Sequence, residues 1–355
     1  MAGGAYSWDG AGTEAGHDED PCARGDGMIV VTGGAGFIGS NLLAGLGARG
    51  HSELVVADRL GTDEKWRNIA KREIADFVSP ERLLDYLDTH AGEVELIFHM
   101  GAVSSTTETD ADLMVATNFH FSLSLWNWCA RHGARLIYAS SAATYGDGAQ
   151  GFDDDPSVEA LARLRPLNRY GWSKHLFDRR VARLASAGAP APPQWVGLKF
   201  FNIYGPNEYH KGSMKSMVAQ IYPNAAEDKP ARLFKSHNPD YPDGGQMRDF
   251  TWVGDCVDVM MWLCDTPDKS GLFNLGTGKA RSFADLVAAA FRALGKEPQI
   301  KYIDTPPEIR DTYQYFTQAN TSRLRAAGYD KPFTSLEDGV TRYVRDYLSA
   351  PDPYL

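Results

Sequence analysis

The chain has 355 residues, 43% of them hydrophobic and 23% charged, a balance that excludes a disordered or fibrous protein and allows one large or two joined globular domains. Its net charge of −10 argues against a broad phosphate-gripping surface, so nucleic acid is not an expected partner, while a small basic pocket for a diphosphate stays compatible. The longest apolar runs, such as Val259 to Cys264, are too short to cross a bilayer, so no membrane partner is expected. Cys22, Cys129, Cys256 and Cys264 show neither C-x-x-C pairing nor a Cys/His cluster; they read as ordinary thiols of a cytoplasmic protein, with no metal site.

Residues 1–27 are rich in Gly, Ala and acids and lack the basic start and apolar run of a signal peptide, so they read as a flexible tail. The fold is expected to begin at Met28. "MIVV", Met28 to Val31, is a continuous β-branched run, as in a strand buried on both faces of a parallel sheet. Gly33, Gly36 and Gly39 follow as G-x-x-G-x-x-G, with Phe37, Ile38, Leu42, Leu43 and Leu46 at helical spacing behind them. Glycines let backbone N–H groups approach a pyrophosphate, and the helix N-terminus directs a positive dipole end at it.

"LVVAD", Leu54 to Asp58, supplies a second buried strand ending in an acid where a dinucleotide's ribose would sit. Asp58 alone favours NAD, because a carboxylate repels the extra phosphate of NADP. Arg59 and Lys65 follow closely and are equally able to hold that phosphate, so spacing leaves both cofactors open.

Glu95 to Ala102 and Ala134 to Ser141 read as further strands, separated by a helical stretch with Leu123, Leu125, Trp126 and Cys129. This β-α-β-α alternation predicts an α/β fold: a Rossmann-type doubly wound parallel sheet with a smaller mixed α/β substrate domain. Gly101 and Ala102 end one strand with little side chain, leaving room for a cofactor, and Asn118 opens the next helical segment.

Ser141 is expected at a strand's carboxyl end facing the cofactor. Tyr170 and Lys174 then fall one turn apart on one helix face. On spacing alone such a pair is surface decoration. Preceded by a glycine-rich turn and a strand-end serine, it resembles the short-chain dehydrogenase/reductase superfamily, in the extended branch that acts on nucleotide sugars. The residue types suit that chemistry: Lys174 would lower the phenol's pKa, Ser141 would hydrogen-bond the reacting oxygen, and Tyr170 would move its proton as hydride travels to or from nicotinamide.

Further strings narrow the resemblance. Phe98 to Asp110, Tyr138 to Gly146, Phe200 to Met214, Phe273 to Gly278, Tyr313 to Asn320 and Leu324 to Phe333 resemble the ADP-glyceromanno-heptose 6-epimerases from Met28 nearly to the end. The resemblance implies an NADP-dependent isomerase that inverts C6 of ADP-D-glycero-D-manno-heptose by transient oxidation and re-reduction, for lipopolysaccharide cores. It implies Tyr170 and Lys211 as acid/base residues, supported by Ser141 and Lys174. Cofactor contacts carry over to Phe37, Ile38, Asp58, Arg59, Lys65, Met100, Gly101, Ala102, Val103, Ser104, Asn118, Tyr170, Lys174, Ile203 and Lys211, beside Gly33, Gly36 and Gly39. Substrate contacts carry over to Ser141, Asn202, Ser213, Gln220, Phe234, Arg248 and Tyr313. Met100, Arg59 and Gln220 depart from the family pattern, where Glu, Asn and His are expected, and Lys235 to Phe250 is longer than usual.

The second half, read alone, is less specific. Lys211 follows a strand-like run, and a loop lysine is ordinarily solvated; an epimerase, however, must handle protons on two faces and needs a second base. Arg248 and Tyr313 suit diphosphate and sugar oxygens, or equally an ion pair and a packed aromatic. "DFTWVGDCVDVMMWL", Asp249 to Leu263, reads as a strand passing into a buried helix. The expected domains are 28–202 for the dinucleotide and 203–355 mainly for the substrate, with segments near 249–278 returning to the first. A homo-oligomer is the expected assembly. The competing readings are another nucleotide-sugar epimerase, a 4,6-dehydratase or dehydrogenase, and a non-catalytic nucleotide-binding scaffold.

Overall fold

Unbroken runs of Val, Ile and Leu have no polar alternation to give water, so they form strands that must be covered on both faces. The computed structural model describes residues 27–310 and 313–355, so nearly all of the expected tail, Cys22 included, lies outside the described residues. Strands β1 (Met28–Thr32), β2 (Leu54–Ala57), β3 (Asp76–Val78), β4 (Val94–His99), β5 (Arg135–Ser141) and β6 (Trp195–Phe200) form one sheet. Two more elements precede its last member: β7 (Asn202–Tyr204) and β8 (Phe250–Trp252), which pair with each other in parallel. Strand β9 (Gly271–Leu275) then completes a seven-stranded sheet of order β9-β6-β5-β4-β1-β2-β3, parallel throughout.

The order reverses between β1 and β4, and that switch point is where an open α/β sheet opens a crevice for a ligand. Alternation along each strand feeds two cores. Ile29 and Val31 face helices α1 (Phe37–Ala48) and α2 (Val253–Asp265), with Leu42, Val257 and Met260 among the buried neighbours. Met28 and Val30 share the other face with Trp126 of helix Ser122–His132 and with Phe177 and Val181 of helix Arg169–Ser186. Each side chain buried in this way contributes on the order of 1.5–3 kcal/mol.

A third core gathers Tyr204, Val218, Leu233, Phe250, Trp252, Leu286, Phe291 and Tyr343, from segments mostly after residue 203. The chain does not stay there. Helix α2 and β9 return to the large sheet, and so do residues beyond 278: Ala319 packs in one sheet core, and Leu324 and Tyr329 in the other. The C-terminal part therefore crosses back twice. Among the described residues no helix is long and apolar enough to cross a membrane.

Candidate active site

The site begins where two backbones cross. Gly33 has φ +66, and a Cβ there would lie 2.6 Å from Gly101 Cα, so the turn after β1 and the loop after β4 meet only because the first is glycine. Gly36 caps α1 with no side-chain hydrogen bond, leaving the helix start to an anion. The groove above is lined by Gly33, Gly36, Phe37, Ile38, Gly39, Asp58, Lys65, Met100, Gly101, Ala102 and Ser104, together with Ser141, Tyr170, Lys174, Ile203 and Lys211, and measures about 340 Å³. Arg59 and Val103 line an adjoining hollow of about 400 Å³ that shares Asp58 and Lys65. Asn118 lines neither; it is buried and holds the loop after β4 by accepting from Val103 N and donating to Val103 O, both at 2.9 Å.

Asp58, expected as a cofactor contact, is also a strut. Its Oδ2 accepts the Ala35 amide at 3.0 Å, and its Oδ1 accepts the Arg59 amide and Lys65 Nζ, each at 2.7 Å. The Arg59 guanidinium turns outward to Glu81.

The candidate catalytic wall joins a strand end to a helix. Gly171 makes this possible: a Cβ there would lie 2.5 Å from Ala143 O, so the helix carrying Tyr170 seats directly on the turn after Ser141. Asn168 caps that helix through Gly171 N at 2.8 Å. Burial raises the Tyr170 phenol above its ordinary value, with the Ser141 hydroxyl opposing as a hydrogen-bond partner. Lys174 was expected to lower it, yet burial dominates in this arrangement. Lys174 itself is lowered to about 8 by burial, with the Asp178 charge opposing.

A buried chain of hydrogen bonds links the two walls. Ser122 Oγ donates to Asn118 O at 2.9 Å, so it accepts from His99 Nε2, 2.8 Å away. Burial holds His99 neutral, its pKa lowered to about 3, so Nδ1 accepts from Thr32 Oγ1 at 2.6 Å, and Thr32 in turn accepts the Gly101 amide at 3.1 Å. Asn118 Nδ2 donates to Ser173 Oγ, which donates to Tyr170 O. Of these partners, Thr32, His99, Ser122 and Ser173 were not singled out in the sequence.

Lys211 rides on a loop fixed to the glycine turn. Asn68 Nδ2 donates both to Ala35 O at 2.8 Å and to Asn207 O at 3.0 Å, and Asn207 adopts the left-handed φ of 69 that the bend requires. Buried Glu208 receives the Ser216 amide and hydroxyl, which closes the loop. Burial lowers the Lys211 pKa while Glu208 opposes, and its Nζ lies 5.2 Å from the Phe37 ring centre.

Lys211, Phe201, Ile203 and Met214 also line a second, larger cavity of about 840 Å³. Asn202, Gln220, Phe234, Arg248 and Tyr313 line it as well, whereas exposed Ser213 lines neither space; Gln220 Nε2 donates to Ser213 O at 3.2 Å. The cations Lys211, Lys215, Arg232 and Arg248 appear in that lining without a carboxylate among the described residues. Arg248 is buried between the rings of Phe283 and Tyr313, 5.6 and 5.5 Å away, and among the described residues donates to the carbonyls of Met247 and Gln314. Its neighbour Asp249 pins the turn after β9 and the segment following Tyr313, accepting from Thr277, Gly278 and Ala319 amides.

This glycine turn, the Ser141–Tyr170–Lys174 wall and Lys211 all fall within residues 29–276, which match the family described as the NAD dependent epimerase/dehydratase family. The chain belongs to this family. A relative from Nitratidesulfovibrio vulgaris, ADP-L-glycero-D-manno-heptose-6-epimerase, is 50% identical over 331 residues, covering 92% of this chain and 100% of its own. The crystal structure of the Helicobacter pylori ADP-L-glycero-D-manno-heptose-6-epimerase superposes with a TM-score of 0.72 at 29% identity, covering 93% of this chain and 97% of that one. The Thermus thermophilus UDP-glucose 4-epimerase, solved in complex with NAD, gives 0.67 at 25% identity over 88% and 96% of the two chains. The resemblance to the heptose epimerases and the doubly wound fold are both borne out.

Proposed function

We propose that the protein converts ADP-D-glycero-D-manno-heptose to ADP-L-glycero-D-manno-heptose in the cytoplasm, for lipopolysaccharide core biosynthesis, as a homo-oligomer. The observation that carries the proposal is the position of Lys211, which lines both the groove of Tyr170 and the large cationic cavity.

The residues present fit a nicotinamide dinucleotide: an uncapped helix start, a glycine crossing and a buried lysine face one groove. When bound, that cofactor accepts a hydride from C6 and returns it. The protein handles the proton and the sugar. Tyr170 takes the O6 proton as its phenolate, the form that burial opposes and the positive charge of Lys174 beside it favours, while C6 becomes a carbonyl and Ser141 donates a hydrogen bond to that oxygen. The carbonyl carbon then presents its other face, and Lys211, at the mouth between the two spaces, serves as the second acid/base group. A lysine whose pKa is lowered by burial is suited to that exchange. Arg248, Lys215 and Arg232 match the charge of the ADP diphosphate, and Tyr313 and Phe234 supply aromatic wall.

NADP is the cofactor this arrangement favours. Both Asp58 oxygens already have donors, which leaves the carboxylate less free for a ribose hydroxyl, while Arg59 and Lys65 stand beside it. Incubating the purified protein with ADP-D-glycero-D-manno-heptose, without added cofactor, is expected to yield the L-glycero epimer, read from the product's C6 proton in NMR. Folded, cofactor-loaded protein that leaves the substrate unchanged overturns the proposal.

A further inference from the structure

A fully buried ion pair stands behind the catalytic wall, and no step above uses it. Lys199 Nζ and Asp178 Oδ2 are 2.7 Å apart and neither side chain has any exposure. Asp178 sits one turn beyond Lys174 and two beyond Tyr170 on the same helix. Its Oδ2 also accepts from Ser140 Oγ at 2.7 Å and its Oδ1 from Tyr138 OH at 3.1 Å, both on β5. Lys199, on β6, donates to Thr144 Oγ1 at 2.8 Å, and Thr144 donates to the Ser141 carbonyl at 2.8 Å. The network therefore closes around Ser141 from two sides and returns to the helix of Tyr170.

A buried pair of this kind is not needed for stability, because desolvating two charges costs about as much as their attraction returns. Two charges and their hydroxyl partners instead fix direction, which an apolar contact does not. We propose that Asp178, held by Lys199, is a positioning residue for the reaction: it fixes the strand end bearing Ser141 against the helix bearing Tyr170 and Lys174. The inference rests on the proposed function. Independently of the hydrogen bonds, the Asp178 charge acts on the site by opposing the desolvation of Lys174.

The test is the double variant Asp178→Asn/Lys199→Met, which removes both charges at nearly constant volume, assayed beside wild type for thermal unfolding, bound cofactor, KM and kcat. The double is expected to keep the wild-type unfolding midpoint and cofactor, with KM changed less than about twofold and kcat reduced at least about tenfold. A double variant with wild-type kcat overturns the inference and leaves the proposed function standing, whereas an inactive wild type overturns both. Should the double fail to fold, Tyr138→Phe removes only one donor to Asp178; a drop in kcat of about threefold at constant KM is expected, and an unchanged kcat overturns the inference.

Discussion

Lys65 Nζ lies 2.7 Å from Asp58 Oδ1, while the other oxygen of that carboxylate receives the Ala35 amide of the glycine turn. One acid thus buttresses the glycine turn and holds the cation that the proposed NADP binding assigns to the 2′-phosphate. Lys65→Met is expected to weaken NADP roughly tenfold and NAD less than about twofold, because only the former loses a charge partner. Asp58→Ala is expected to weaken both, since the turn loses its strut. Fluorescence titration with each dinucleotide reads the difference; equal losses for Lys65→Met contradict the assignment.

Tyr170→Phe and Lys211→Met are each expected to reduce epimerisation by about 10²–10⁴-fold, the usual worth of a positioned acid or base, without releasing the cofactor. Neither substitution alters the glycine crossing of Gly33 and Gly101. Cofactor content after gel filtration and the initial rate by NMR separate the two effects. Wild-type rates in both variants contradict the two-base account.

Arg248→Met is expected to raise KM by roughly 10–100-fold with little change in kcat, because a diphosphate far from C6 is bound alike before and during reaction. Among the described residues its guanidinium donates to carbonyls rather than to a carboxylate, so none of their acids is stranded by the change. Steady-state kinetics decide; a loss confined to kcat contradicts the role.

Acid stability follows from two buried histidines. Burial lowers His99 to about 3 and His175 to about 4, below the unfolded value, so the unfolded chain binds their protons first. Their contribution is present above about pH 6.5 and is lost as pH falls toward their folded values. At pH 5 each costs about 2 kcal/mol relative to neutral pH. His175 Nδ1 has no hydrogen-bond partner among the described residues, so His175→Leu is expected to lose about 2 kcal/mol less than wild type between pH 7 and pH 5, measured by urea unfolding. Parallel pH dependences contradict this.

The sequence made some of this site legible and hid the rest for a physical reason. Gly33, Ser141, Tyr170 and Lys174 are set by local geometry: a strand followed by a turn, a strand end, one helical turn. Such rules act over a few residues and leave a readable spacing. Asp178 and Lys199, His99 and Thr32, or Asp249 and Ala319 meet only after the sheet has formed, at separations of 21, 67 and 70 residues, and nothing in their neighbours announces it. Likewise, the return of Leu324 and Tyr329 to the large sheet rests on a five-residue helix too short to show a period. Gln220, expected as a departure from the family pattern, lines the cavity while its amide braces the Lys211 loop.

In the proposed reaction C6 loses and regains the same hydride within one bound cofactor. The most direct measurement supplies ADP-D-glycero-D-manno-heptose carrying deuterium at C6, in ordinary water, and follows the label in the L-glycero product. Retention of deuterium at C6, with none acquired when unlabelled substrate is run in D2O, is the predicted result. Exchange of the C6 hydrogen with solvent would contradict transient oxidation and point to proton abstraction from carbon.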